Sequence, residues 1–285
     1  MKLVRVGGAG KETPSVLLGE KVYDVSPFGE DFNETFFGSG GLRRLEEFIS
    51  KNEGQLRQMP QGIRIGSPIT RPSKIVCIGL NYADHANETN AAIPSEPVIF
   101  LKSTSALCGP FDDIIIPKAS VKTDWEVELA VVIEKKASYV SEADAMNYVA
   151  GYCLHNDVSE RTFQLERNGT WDKGKGCDSF APLGPWLVTK GEIHDVNDLR
   201  LWLSVNGKMM QNGTTANLIF KIPFLVSYVS QFMSLLPGDI ISTGTPAGVG
   251  LGMKPPLYLR DGDVVELGID GLGVAKQTCR NYAEN

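Results

Sequence analysis

The chain has 285 residues, of which 42% are hydrophobic, 22% charged and 8% aromatic; this supplies a sizeable core and excludes a disordered or fibrous polypeptide. Its formal net charge of -6, from 28 Lys plus Arg against 34 Asp plus Glu, argues against nucleic-acid binding, which needs a basic face. The first eight residues hold no sustained apolar run, and the longest apolar stretch, Leu129 to Ile133, is far too short to cross a bilayer. A cytoplasmic protein with no membrane partner is expected. The five cysteines are scattered without paired spacing, as idle thiols in a reducing compartment would be.

In chain order, Lys2 to Val6 and Ser15 to Val25 alternate as short strands do, and Leu42, Leu45, Phe48 and Ile49 keep the spacing of a helix face. The polar stretch Lys51 to Ser73, broken by Pro60, Pro68 and Pro72, reads as a boundary. It divides a small N-terminal accessory domain, residues 1–70, from a larger domain, residues 71–285. Ser141 is placed to cap a helix over Glu142 to Ala150, with Gly151 as its stop, and Tyr148 to Leu154 also fits a strand. Leu199 to Val205 alternates and ends at Asn206-Gly207, a hairpin signal. Pro223 opens a helix expected to run to Leu236, and Val264 to Leu267 is a further strand. Strands outnumber helices and do not alternate with them regularly, so the expected class is a β-rich α+β domain.

The most informative segment runs from Asp124 to Ile133. Read as one strand, it puts Trp125, Val127, Leu129, Val131 and Ile133 on one face and Glu126 and Glu128 on the other. Taken alone, the two acids fit a polar face near a strand end. They would equally need a cation if buried, because two like charges at the end of an apolar stripe repel each other. Asp157, opening a polar loop after the probable strand Tyr148 to Leu154, adds a third acid. Three carboxylates without a His/Cys cluster make a hard oxygen site, suited to Mg²⁺, Mn²⁺ or Ca²⁺ rather than zinc.

Of the three histidines, His194 lies in a polar stretch and reads as a solvated loop residue, while His155, two residues before Asp157, reads as structural. His85 and Glu88 are three apart, so on a helical turn they share a side and can form a base with an orienting acid. The Gly-rich run Gly244 to Gly252 lacks the spacing of a phosphate-binding loop and reads as a tight turn that lets backbone approach a substrate.

The succession Asn81 to Glu88, Pro97 to Lys102, Asp124 to Glu128, Asn156 to Arg161, Lys173 to Pro185, Gly238-Asp239 and Ser242 to Gly250 strongly resembles the fumarylacetoacetate hydrolase family over roughly residues 73–283. The resemblance implies the family's β-sandwich roll, with residues 1–70 as an accessory part, and a homodimer. It implies a divalent metal, generally Mg²⁺, on Glu126, Glu128 and Asp157, the trio that the strand pattern singles out. It also implies that His85 and Glu88 activate water on a segment that orders over the substrate, that Lys175 points into the site, and that Arg161, Gln164 and Thr245 contact substrate.

The chemistry then expected is hydrolysis of a 2,4-diketo acid. The metal would hold the carboxylate and keto oxygens of the 2-keto acid, and Lys175 would add a positive donor beside the developing charge. Water activated by His85 and Glu88 would attack the C4 carbonyl, and cleavage of C3–C4 would release pyruvate and a carboxylic acid. The longer bacterial members with a segment like Asn168 to Gly176 resemble enzymes acting on 2,4-diketo-3-deoxy-rhamnonate or -fuconate. The alternatives are another reaction through an enolate (ureidoglycolate cleavage, oxaloacetate decarboxylation or tautomerisation, dioate isomerisation) and a non-catalytic metal-binding protein.

Overall fold

The computed structural model describes residues 1–88 and 92–284, without the side chains of residues 85–87. The alternating N-terminal segments form an antiparallel meander of Lys2–Val6, Thr13–Leu18 and Lys21–Asp24. Lys2 and Leu3 pair with Val188 and Leu187. Through this pairing residues 1–70 extend a nine-stranded sheet, and Leu3, Val16, Phe32, Phe36 and Leu45 join the same core as the rest of the chain.

Across that sheet, after the meander, come Leu187–Thr189, Val149–Asn156, Val127–Ile133, Ile240–Ser242, Ile75–Gly79 and Val98–Lys102. A five-stranded sheet of Lys208–Thr214, Arg200–Val205, Val264–Ile269, Gly273–Asn281 and Ile114–Ile116 packs over its middle, against Val127–Ile133 and Val149–Asn156. This is the β-rich α+β class, with two sheets enclosing one core. The two central strands are buried at every position, so their sequences run apolar on both faces. Asn206 and Gly207 both take positive φ, 51° and 76°, and turn Arg200–Val205 into Lys208–Thr214.

Three expectations shift in detail. The strand read from Asp124 to Ile133 is two strands: Thr123–Asp124 pairs with Ser159–Glu160, and Val127–Ile133 pairs with Val149–Asn156. At the break, Glu126 N–H donates to Asn156 Oδ1 at 3.2 Å and Asp157 N–H donates to the Glu126 carbonyl at 2.9 Å. Ser141 does cap a helix, accepting from Asp144 N–H, but this is a 3₁₀ helix over Glu142–Tyr148 that passes directly into the strand Val149–Asn156. Gly151 lies inside that strand, opposite Thr189. The helix opened by Pro223 ends at Phe232, because Leu235 N–H bonds the Ala137 carbonyl and pulls the chain into a bridge. Among the described residues no helix is long and apolar enough to cross a membrane.

Gly151 has a specific reason to be glycine: a Cβ there would lie 2.1 Å from the Val188 carbonyl oxygen. Gly151→Ala is expected to force these strands apart and lower stability by about 2–4 kcal/mol, read as a fall in Tm; an unchanged Tm would show that the pairing can shift at no cost.

Candidate active site

Strand register brings the acids together. His155 lies opposite Glu128 and Asn156 opposite Val127, so Asp157, the next residue, emerges beside Glu126. Glu126, Glu128 and Asp157 are 5%, 2% and 0% exposed, and one oxygen from each lies within 4.8 Å of the others. The two glutamates line one end of a cavity of about 140 Å³, together with Arg161 and Lys175. Its apolar lining is Ile78, Leu80, Phe100, Leu165, Trp171 and Leu251.

Three buried cations meet these acids. Lys175 Nζ donates to Glu126 Oε2 at 2.7 Å and to Asp157 Oδ2 at 2.8 Å, and it sits 5.0 Å from the centre of the Phe100 ring. Lys102 Nζ donates to Asp157 Oδ1 at 2.5 Å and to the Val158 carbonyl at 3.0 Å. Arg161 Nε donates to Asp124 Oδ2 at 2.8 Å, and Nη1 donates to Gln164 Oε1 at 3.0 Å. Arg161 Nη2 lies 2.8 Å from Asp124 Oδ2 and 2.7 Å from Glu126 Oε1, ion pairs set off the line of a hydrogen bond.

The charges decide the protonation states. Burial would push the Asp157 carboxyl up, but Lys102 and Lys175 outweigh it and hold the group well below the usual carboxylate range. Burial opposes the charge of Lys175 as well, yet Asp157 and Glu126 keep it protonated, above the ordinary lysine value. Among the described residues no cation touches Glu128. Burial, and then the charges of Asp157 and Glu126, push its carboxyl well above the usual range. With Asp124 included, four carboxylates face three cations, so ionising Glu128 leaves the cluster one negative charge in excess.

Behind Glu128 runs a buried chain. Its Oε2 accepts from Ser242 Oγ at 2.6 Å and from Gly244 N–H at 3.0 Å, and Ser242 Oγ lies 2.7 Å from His155 Nδ1. When Glu128 is ionised, the single Ser242 proton goes to the carboxylate, so His155 donates from Nδ1 and its buried Nε2 is left without a partner. Burial, with the nearby lysines, lowers the His155 pKa to about 3, so the ring is neutral.

The Gly-rich run Gly244 to Gly252 is packed against these elements by backbone. Thr245 lines the cavity, but its hydroxyl donates to the Val127 carbonyl at 2.9 Å and accepts from Gln211 Nε2 at 2.7 Å. Gly248, at φ 108°, would place a Cβ 2.0 Å from the Met210 carbonyl oxygen; its N–H donates to both carboxylate oxygens of Glu88, at 3.0 and 3.1 Å. The helix Ala83–Glu88 is thereby tied to the loop beside the cavity. His85 lies one turn before Glu88 on this helix, and its side chain is outside the described residues.

Sequence reasoning assigned no role to Lys102, Asp124, Ser242 or Trp171. Lys102 carried a weak signal, as the one charged residue ending the apolar strand Val98–Lys102. Asp124 gave none; its carboxylate also accepts from Gly250 and Leu251 N–H at 2.7 and 2.9 Å, which joins Arg161 to the Gly-rich loop.

The sequence pattern of the fumarylacetoacetate (FAA) hydrolase C-terminal domain matches residues 74–280. The chain belongs to the fumarylacetoacetate hydrolase family. A relative from Burkholderia ambifaria, whose name gives no substrate, is 50% identical over 283 residues, and the match covers 99% of both chains. Maleylpyruvate hydrolase from Sphingobium sp. SYK-6, solved in complex with manganese(II) ion and pyruvate, is 28% identical with a TM-score of 0.83, over 99% of this chain and 100% of that one. The 5-carboxymethyl-2-hydroxymuconate delta-isomerase from Mycobacterium smegmatis is 32% identical with a TM-score of 0.78, over 100% of both chains. The fold is shared with these family members.

The donor set here fits a divalent metal. Glu126, Glu128 and Asp157 offer converging, buried oxygens, the ligand type of hard cations. The excess negative charge and the raised Glu128 are what such an ion would relieve. Two added charges would turn the cluster's excess negative charge into an excess positive one, which a monoanionic keto acid would balance.

Because His155 is held neutral with its pKa lowered to about 3 from 6.5, the unfolded chain binds a proton that the fold refuses. Its contribution is present in full above pH 6.5 and is lost as pH falls toward 3, at up to about 1.4 kcal/mol per pH unit. Chemical denaturation across that window should show a shallower loss in His155→Gln; parallel slopes would mean that His155 is protonated in the fold.

Proposed function

We infer that this protein is a metal-dependent hydrolase that cleaves the C3–C4 bond of a 2,4-diketo acid, releasing pyruvate and a carboxylic acid. One observation carries the reading: three buried carboxylates converge at the end of a cavity that also presents Lys175 and Arg161. Glu126, Glu128 and Asp157 would hold Mg²⁺, with Mn²⁺ or Ca²⁺ as substitutes. Bound there, a divalent ion would polarise the keto oxygen and stabilise negative charge developing on it.

The protein groups have separable tasks. Lys175, kept charged by Asp157 and Glu126, places a protonated donor in a water-poor cavity where charge develops. Arg161, braced by Asp124, and Gln164 orient the acid. Glu88, anchored on Gly248 N–H, fixes the helix that carries His85, and His85 takes the proton of the water that attacks C4. Collapse of the resulting adduct breaks C3–C4; the electron pair goes to the pyruvate enolate, which is then protonated at C3. Thr245 contributes through the loop backbone, since its hydroxyl is engaged by Val127 and Gln211. The reading includes a cytoplasmic homodimer.

A second reading keeps the same bound keto acid without attack by water, as isomerisation would; the likeness to the Mycobacterium smegmatis isomerase favours it among the alternatives. Pyruvate formation separates the two. Incubation of the Mg²⁺-loaded protein with acylpyruvates should release pyruvate stoichiometrically, and exhaustive chelation should abolish it. Shift of a double bond with no pyruvate would select isomerisation.

His85→Ala and Glu88→Gln should each slow turnover by about 10²–10⁴-fold while Mn²⁺ still binds by calorimetry. Glu128→Gln should remove Mn²⁺ binding itself. Near-normal turnover in His85→Ala would withdraw the base assignment.

A further inference from the structure

Among the described residues the polar side chains lining the cavity are the acids and cations of the cluster with Gln164 and Thr245. The cavity's apolar wall is built from Ile78, Leu80, Phe100, Trp171 and Leu251, with the exposed Leu165 at its edge. The wall is held in place by the backbone as well as by packing. Trp171 lies over Gly79, where a Cβ would stand 2.7 Å from Cζ3 of the indole, and its ring centre is 5.3 Å from that of Phe100. Leu251 is fixed through its N–H on Asp124 Oδ2 at 2.9 Å. Leu80 sits at φ 54°, a left-handed conformation that glycine or asparagine adopts more readily, so an apolar side chain is kept there against backbone strain.

Among the described residues the wall offers nothing to a second charge. The only cations among the described residues that line the cavity, Arg161 and Lys175, are both engaged with Asp124, Glu126 and Asp157. No Lys or Arg occurs between Lys74 and Lys102, nor from Gly244 to Met253. Nearby, Arg167 and Lys173 are exposed: Arg167 stacks over Phe163 at 4.7 Å, and Lys173 Nζ donates to the Arg167 carbonyl. Gln164, the one amide in the described lining, has its Oε1 on Arg161, leaving too few partners among the described residues for a polyhydroxylated chain. The volume is also limiting. About 140 Å³ is near the size of an apolar cavity that holds one benzene, and the keto-acid head must share it.

We propose that the substrate carries a compact, uncharged, apolar acyl group beyond the keto acid, and that Trp171 sets its length. Dicarboxylic and sugar-acid chains are then poor substrates, because a carboxylate or a row of hydroxyls would be buried without partners. The inference deepens the reading of the site as a holder of 2-keto acids and rests on it.

The test is binding of unreactive 2-keto acids to the Mn²⁺-loaded protein by calorimetry, which is independent of turnover. Affinity should rise about fourfold per methylene from pyruvate to 2-oxopentanoate and then level off. 2-Oxohexanoate should bind at least about tenfold more tightly than 2-oxoadipate, which has the same chain length but a terminal carboxylate. In Trp171→Ala the affinity ratio of 2-oxooctanoate to 2-oxobutanoate should rise about tenfold; an unchanged ratio removes Trp171 from the wall. Equal or tighter binding of 2-oxoadipate or of 2-keto-3-deoxygluconate overturns the proposal, whatever the variant does. If the tail preference appears but no acylpyruvate is cleaved, the pocket inference stands and the hydrolase reading fails. If no 2-keto acid binds, both fail.

Discussion

Asp157 is wholly buried between two lysines, Lys102 on one oxygen and Lys175 on the other, and the arrangement of the cavity depends on that sandwich. A carboxylate with no exposure is tolerable only if its partners are in place, since removing one leaves a buried charge uncompensated. Lys175 in turn spans to Glu126, and Glu126 to Arg161 and Asp124. The acids are thus prevented from separating by cations rather than by packing alone. Glu128 stands outside this pairing and, among the described residues, takes hydrogen bonds from neutral donors only. Glu128 is therefore the acid of the cluster whose ionisation the fold resists most.

The surrounding fold converts this cluster into a site with a direction. The two central strands are buried on both faces, so their polar ends can open only toward the loops that follow them. Asp124 makes the decisive link: one side chain receives Arg161 from the acid cluster and two amides from the Gly-rich loop. The same loop holds Glu88 at Gly248. A chain of contacts therefore runs from the acids to the helix carrying His85, with apolar side chains lining the cavity beside it.

Much of this was readable from residue order, for physical reasons that differ by case. Glu126 and Glu128 are legible as alternate residues opposite an apolar face, and Asp157 as the acid that opens the loop after a strand, while their burial is not. Their continuity as one strand was overestimated, since nothing in the side-chain pattern marks the break at Trp125–Glu126, which is held by the Asn156 amide and backbone. Gly151 was legible as a special position but for the wrong reason: a helix stop and a close carbonyl approach both call for glycine. Lys102 and Asp124 went unassigned because their partners lie 55 and 37 residues along the chain, beyond the reach of any local spacing. Thr245 was expected at the substrate; it does line the cavity, with its hydroxyl committed to main chain and Gln211.

The long separations also bear on the order of folding. Glu128 obtains its donors from Ser242 and Gly244, 114 and 116 residues later, and Ile75–Gly79 finds its parallel neighbour only at Ile240–Ser242. Closing loops of that size must precede the contacts that reward them, which makes such topologies slow to form. As the chain emerges from the ribosome, the acids of the cluster are synthesised well before the segment that completes their surroundings. A nascent chain shorter than about 250 residues carries the acids without their enclosure, so the buried cluster arises late, with the finished sheet.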